Sequence, residues 1–298
     1  MVRSDDLVQR VRGLVPAAAL PGLVRRRVER LWADPVYRAE QQAEMRFLLE
    51  HTARADEVAR LARGYCEDAM LRGYLRWHPR AITRQPVDGA HWLTTRRDTS
   101  RPVVLSFVHH ARYDGLFASL ARHGADLDIL TLPDALEPDA PAPIRQHVRV
   151  VRRGGRMVPT TGGTEAIIAA MRPGSVWAIA SDVPGRTPVE FLGREVLGSF
   201  GAARIAFLTD SPVVLVTSHR VVPGLSLGSR LQVHAPLEPR DFAGPGDLLA
   251  EILRRHGEAV LAWPEALDNP RARWGVPMTG NDLGAVARLG SVAQCLHR

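Results

Sequence analysis

Two adjacent histidines and an aspartate follow a short apolar run in the first half of the sequence. His109 and His110 come directly after residues 103–108, which are rich in valine and indicate a buried strand, and Asp114 stands five residues after His109. An imidazole changes protonation near neutral pH, and a carboxylate on its far nitrogen fixes the tautomer and stabilises the imidazolium. The segment therefore allows two interpretations: a His109–Asp114 pair that activates an external hydroxyl or amine without a covalent enzyme intermediate, or a histidine that serves only the packing of the fold.

The predicted elements place this pair at one edge of a sheet. From residue 101 onward, short β-branched runs alternate with helical segments, which indicates an α/β fold with a mostly parallel central sheet flanked by helices. The predicted strands are 103–108, 128–132, 147–151, 175–180, 212–218 and 230–235. The predicted helices are 114–122, 164–171, 200–209 and 246–256. Ligands of such sheets bind at the carboxyl ends of the strands, where His109 is expected.

The sequence divides into three parts. Residues 1–90 are expected to be a helical N-terminal segment that packs on the core, because residues 55–77 carry an apolar stripe at helical spacing. Residues 91–275 hold the α/β pattern. Residues 276–298 have weak periodicity and are expected to be a loosely ordered tail.

The N-terminal apolar stretch, residues 14–24, is interrupted by Pro16 and Pro21. It is too short for a spanning helix, so neither a signal peptide nor a transmembrane segment is predicted. We therefore expect a cytoplasmic protein, with peripheral contact to the inner face of the membrane as an alternative.

All 39 basic side chains are arginine, against 32 acidic ones, which leaves a net charge of +7. The lack of lysine excludes P-loop phosphate binding, Schiff-base chemistry and Ser-Lys catalysis. The two cysteines, Cys66 and Cys295, are far apart, which argues against a structural zinc site or a disulfide framework. The arginines suit coenzyme A phosphates, an acidic carrier protein, lipid headgroups or RNA. Charge alone does not distinguish among these ligands. Codon bias in a GC-rich genome would give the same arginine-rich composition without any such ligand.

One other segment has the spacing of a catalytic motif. Residues 224–228 match the G-x-S-x-G pattern, with Ser226 in the place of the nucleophile. Such a serine needs a strand before it and a helix after it, whereas residues 230–235 indicate a strand. We interpret the segment as a hairpin connection. No G-x-G-x-x-G follows a strand and no H-E-x-x-H occurs, so dinucleotide binding and zinc peptidase activity have no support.

The order of motifs after the histidine pair resembles that of the glycerolipid acyltransferase superfamily. His109-x4-Asp114 is similar to its H-x4-D motif at the end of a strand. The later segments that carry the resemblance are 148–153 (VRVVRR), 164–174 (a helix that ends in glycine), 176–182 (VWAIASD), 189–195 (VEFLGRE), 201–206 (GAARIA) and 211–214 (SPVV). Together they are most similar to the branch of the lipid A lauroyl/myristoyl and phosphatidylinositol mannoside acyltransferases. The resemblance spans about residues 100 to 275.

The resemblance implies a role for each motif residue. His109 would be the general base and Asp114 its orienting partner. The substrate-binding residues that it implies are Arg152, Arg153, Asp182 and Arg186. One of the first two arginines would hold an anionic group, the aspartate would face the cleft, and the last arginine would bind phosphate or stabilise an oxyanion. No cofactor and no metal is implied.

The activity implied by the resemblance is acyl transfer from a thioester, on coenzyme A or an acyl carrier protein, to a hydroxyl or amine. The acceptor would be a glycolipid or a soluble small molecule. An alternative donor is an aminoacyl-tRNA, which the +7 charge and the lack of a membrane anchor in the sequence would suit. A further alternative is a lipid-binding protein without catalysis. Acyl length, acceptor, donor and oligomeric state stay open at this point.

Overall fold

Strands rich in valine, leucine and isoleucine form the centre of the molecule. The computed structural model describes residues 11–274. Its strands are β1 (Val87–Asp88), β2 (Val103–Phe107), β3 (Leu127–Thr131), β4 (Gly155–Pro159), β5 (Val176–Ala180), β6 (Pro184–Phe191), β7 (Arg194–Gly198), β8 (Val213–Arg220) and β9 (Ser229–Val233). Seven of them form one sheet in the order β1-β9-β8-β2-β5-β3-β4, and β6 pairs with β7 in a separate hairpin. Within the larger sheet β8 and β9 are antiparallel and the other neighbours are parallel, which confirms the predicted fold class.

Both faces of the central strands are covered. On β2, Val104 belongs to the hydrophobic cluster on one face, whereas Leu105 belongs to the cluster on the other. Trp177 and Ala178 divide in the same way on the neighbouring β5. Alternate side chains of a strand point to opposite faces, so a strand buried on both sides reads as a continuous apolar run. This burial explains why these two strands are the clearest in the sequence.

Helices cover the two faces of the sheet. They are α1 (Leu20–Trp32), α2 (Pro35–Leu49), α3 (Val58–Leu75), α4 (Pro79–Ile82), α5 (Leu116–Ala121), α6 (Ala142–Val151), α7 (Gly163–Ala170), α8 (Gly201–Leu208), α9 (Pro245–Ala262) and α10 (Pro270–Trp274). Residues of α2, α3, α8 and α9 pack in the cluster that contains Val104, and residues of α5 and α6 pack in the cluster that contains Leu105. Helix α2 begins after Asp34, whose side chain accepts a hydrogen bond from the backbone N–H of Val36 at 2.9 Å.

The prediction of a strand over residues 147–151 is wrong, because these residues belong to α6. Ile144, Val148 and Val151 stand at i, i+4 and i+7, which is the spacing of one helix face, and proline near the N-terminus of the helix suits its first turn. The alternation of valine and arginine hides this stripe. The strand that follows is β4, which begins at Gly155.

The helices α1 to α4 lie within the predicted N-terminal segment. No helix within residues 11–274 is long and apolar enough to cross a membrane. The tail predicted over residues 276–298 lies outside the described residues. The domain boundaries near residues 90 and 275 stay predictions.

Buried ion pairs tie α3 to the loops at the carboxyl edge of the sheet. Arg112, which follows β2, donates two hydrogen bonds of 2.9 Å to the Asp68 carboxylate. Arg72 lies 3.7 Å from Asp68 and 2.8 Å from Asp268, a residue beyond α9. All four side chains are buried. Removing one partner of such a set leaves a charge without compensation in the interior.

We expect Asp68→Ala to lower the free energy of unfolding by about 3–5 kcal/mol, because both arginines lose a buried carboxylate. Urea denaturation followed by circular dichroism measures this change. Asp88→Ala is the matched control, since Asp88 pairs with Arg230 at a largely exposed site. Its cost should be at most about 1 kcal/mol. Equal effects of the two substitutions would contradict the role given to the buried pairs.

Candidate active site

His109 and Asp182 meet at the carboxyl edge of the sheet. Strands β2 and β5 are paired with Phe107 opposite Ala180, and each of the two site residues follows its strand by two positions. His109 Nδ1 lies 2.7 Å from Asp182 Oδ1. The backbone N–H of His109 donates to Asp182 Oδ2, also at 2.7 Å. The parallel register therefore holds the aspartate against both the ring and the main chain of the histidine.

The pairing leaves one imidazole nitrogen available. The Asp182 side chain is 0% exposed and that of His109 is 17% exposed. Burial alone would raise the pKa of Asp182, but His109 and Arg273 lower it below its ordinary value. Because the ionised carboxylate holds the proton on Nδ1, the lone pair of the neutral ring lies on Nε2. Nε2 has no hydrogen-bond partner within residues 11–274 and can accept a proton.

Burial and a neighbouring positive charge favour the neutral form of the imidazole. Burial and the positive charge of Arg273 lower the pKa of His109 below its ordinary value, against the opposing effect of Asp182. Arg273 Nε lies 3.5 Å from Asp182 Oδ2, and its Nη2 lies 2.7 Å from Asp268. A neutral imidazole held by a carboxylate has the form that a general base needs.

The predicted partnership of His109 with Asp114 is corrected by the structure. The Asp114 carboxylate instead accepts hydrogen bonds from Arg76 Nε at 2.9 Å and from His147 Nδ1. Between His109 and Asp114 the chain does not form a regular helical turn, because Ala111 has a positive φ of 55°. The positive φ of Ala111 directs the Asp114 side chain toward α3 and α6 and away from His109.

Three arginines predicted to bind substrate do not line the cavity beside His109, and their roles stay predictions. Arg152 and Arg153 are exposed between α6 and the start of β4, the end of the parallel sheet opposite to the carboxyl edge. Arg186 is exposed on β6. None of the three lines the cavity beside His109. The predicted cleft residue Asp182 is brought to the site, but it is buried beneath the histidine.

A largely apolar cavity opens beside His109. Its volume is about 180 Å³. The polar side chains that line it include His109, Tyr113 and His147. The apolar side chains of its wall include Phe107, Phe117, Ile129, Ile144, Val151 and Met157. Most of this wall belongs to the sheet face covered by α5 and α6. Such a cavity can hold a small hydrocarbon group next to the imidazole.

Two arginines of the described chain line this cavity, and carboxylates engage both. Arg76 bonds to Asp114, and its Nη2 donates to Tyr113 Oη at 2.9 Å. Arg273 is held by Asp182 and Asp268. The cavity therefore presents paired arginines rather than a free cation. Among residues 11–274 no group of three or more His, Cys, Asp or Glu side chains could hold a metal ion.

Sequence reasoning missed Arg76, Arg273 and His147. The first lies at the end of α3, the second on α10 and the third on the helix mistaken for a strand. No common motif links residues so far apart in the sequence. The positions of His109 and Asp182 did have a signal, since each residue follows a predicted central strand. The interpretation of Ser226 as part of a hairpin is confirmed, because β8 and β9 on either side are antiparallel neighbours.

Comparisons with known proteins give matches among solved structures alone. No protein-family model matches the sequence, and no curated protein sequence matches it either. Among solved structures it is similar to the crystal structure of the 1-acyl-sn-glycerophosphate (LPA) acyltransferase, PlsC, from Thermotoga maritima. The two chains are 16% identical with a TM-score of 0.36, and the match covers 85% of this chain and 98% of that one.

Proposed function

We propose that the protein is an acyltransferase in which His109 is the general base. The observation that carries this proposal is the pairing of His109, which lines an apolar cavity, with buried Asp182. The base and the cavity lie side by side, so an acyl group in the cavity would have its carbonyl carbon close to the activated acceptor. The resemblance of the His109 segment to the H-x4-D motif supports the same reaction class.

The reaction follows from the protonation state of the pair. His109 Nε2 takes the proton of an acceptor hydroxyl or amine as that atom attacks the acyl carbonyl. Asp182 holds the ring through Nδ1 and stabilises the imidazolium that forms. The carbonyl bond then reforms as the leaving group departs with its electron pair. No covalent enzyme intermediate is needed.

The size of the cavity favours a short acyl group. An apolar cavity of roughly 150 Å³ accepts one benzene molecule, so about 180 Å³ suits a group of about six to eight carbons. The preferred donor is a thioester on coenzyme A or a carrier protein, with an aminoacyl-tRNA ester as the alternative. The acceptor is a small molecule or a glycolipid. Since the cavity arginines are paired, donor phosphates would bind outside the cavity.

We expect His109→Ala to lower kcat/KM by about 10²–10⁴-fold, because the acceptor loses its general base. Asp182→Asn should give a comparable loss, since the ring loses the carboxylate that fixes its tautomer. Thiol release from hexanoyl-CoA, with water or glycerol as acceptor, measures the rate. Hexanoyl carrier protein and aminoacyl-tRNA are tested as the other donors.

The control for these variants is His123→Ala, an exposed histidine away from the cavity, which should leave the rate unchanged. A wild-type protein that turns over none of the three donors would contradict the proposed function. Binding of an acyl donor by His109→Ala, without turnover by the wild type, would instead support a lipid-binding protein.

The activity should rise with pH through the lowered pKa of His109, with half of the plateau reached below about 6.5, because only the neutral ring accepts a proton. Arg273→Gln removes a positive charge that lowers this pKa, so the rising limb should move to higher pH. The profile of log kcat/KM against pH measures the change. Arg271→Gln, two residues away and more exposed, is the control. An unmoved limb in Arg273→Gln would refute the assigned electrostatic effect.

Met157→Ala should shift the preferred acyl group toward longer chains by about two or three methylenes, because the missing side chain lengthens the cavity. Val158→Ala is the matched control. The two residues are neighbours on β4, but Val158 packs on the opposite face of the sheet. Rates with a series of acyl-CoA donors from four to fourteen carbons measure the optimum. A shift of equal size in both variants would contradict the assignment of the cavity as the acyl site.

A further inference from the structure

A second histidine faces the cavity beside His109. His147 lies on α6 and lines the cavity, with a side chain that is 22% exposed. Its Nδ1 bonds to the buried carboxylate of Asp114. The ring of Tyr113 contacts both histidines, with centroids 4.7 Å from His109 and 5.8 Å from His147. Two imidazoles, each held through Nδ1 by a buried carboxylate, therefore share one cavity.

The surroundings of His147 differ from those of the histidines that serve packing. His110 is buried, and its Nε2 bonds to the carbonyl oxygen of Trp263 at 2.8 Å. His256 is buried as well, and its Nε2 bonds to Ser106 Oγ at 2.9 Å. Neither lines the cavity, and no carboxylate of the described residues bonds to either. Nε2 of His147, by contrast, has no hydrogen-bond partner within residues 11–274.

The partner of His147 is ionised. Burial alone would raise the pKa of Asp114, but Arg76 and His147 hold it far below its ordinary value. An ionised carboxylate on Nδ1 keeps a proton on that nitrogen, which leaves Nε2 as the atom that exchanges protons with a bound molecule. The His147–Asp114 pair therefore has the same arrangement as the His109–Asp182 pair, and it lies on the α6 side of the cavity.

We propose that His147 is a second catalytic residue, which gives a proton from Nε2 to the leaving atom of the acyl donor while His109 removes one from the acceptor. This proposal rests on the proposed function of His109. A donor carbonyl in the cavity that reaches both imidazoles would have the attacking atom of the acceptor near His109 and the leaving atom of the donor near His147.

The proton balance of the step is complete. The acceptor forms a bond to the carbonyl carbon and loses its proton to His109 Nε2, and the carbonyl electron pair moves to oxygen. When the carbonyl reforms, the bond to the leaving sulfur or oxygen breaks and that atom takes the proton of the His147 imidazolium. His109 is then protonated and His147 neutral, and exchange with solvent restores both.

The leaving group provides the test. His147→Asn keeps an amide N–H near the position of Nδ1 for Asp114 but removes Nε2. We compare the hexanoyl thioester of N-acetylcysteamine, whose thiol is close to an ordinary one with a pKa of roughly 8.5, with that of a nitrothiophenol, whose thiolate is far more stable. Only the first leaving group gains from a proton. His147→Asn should therefore lose about 10²-fold in thiol release from the first donor and less than about threefold from the second.

The controls separate this role from a structural one. His123→Asn should match the wild type on both donors, and the thermal midpoint of His147→Asn shows whether it folds. If His147→Asn lost thiol release by the same factor with both donors, or lost it with neither, the proposal for His147 would be overturned. His109→Ala should lose turnover of both donors, so a failure of the proposed function appears as retained activity in that variant and is distinguishable.

Discussion

A buried, ionised carboxylate sets the conditions for the whole site. Asp182 has no exposed side-chain area, and an uncompensated charge there would cost several kcal/mol. Compensation comes from the His109 ring, from the His109 backbone N–H and from Arg273. These bonds decide which nitrogen of the imidazole faces the cavity. On the proposed function, the chemistry of His109 is therefore a consequence of how the interior neutralises one aspartate.

The arginine that neutralises Asp182 is itself part of a series of ion pairs that reaches the N-terminal helices. Arg273 also needs a second carboxylate, Asp268, and Asp268 is bonded to Arg72 on α3. The backbone N–H of Asp268 donates to the carbonyl oxygen of His109 at 2.9 Å, so the same residue supports the histidine from the other side. Acidic and basic side chains thus alternate from α3 to the His109 ring. The N-terminal helices position the site through charge as well as through apolar packing.

The sequence predicted the parts of the site that depend on one strand at a time. Burial on both faces makes β2 and β5 readable, and His109 and Asp182 were expected beyond their ends. Their pairing depends on the register of two strands that stand far apart in the sequence, which a single sequence does not contain. The partner of Asp114 could not be predicted either, because it follows from the positive φ of Ala111 and from the packing of α3 and α6. Spacing alone could not distinguish the two carboxylates.

The arginine-rich composition is a second case in which the sequence does not reveal which residues pair with each other. An excess of arginine suggests an anion site, but both arginines that line the cavity within the described chain are engaged by carboxylates. Arginines that are paired with carboxylates fix the positions of the residues around them, but they offer no uncompensated positive charge to an anion. On the proposed function, selection of the donor then depends on its hydrocarbon part, since each buried methylene contributes about 0.8 kcal/mol. A cavity of limited volume converts that contribution into discrimination by length, because a chain longer than the cavity gains nothing further from burial there.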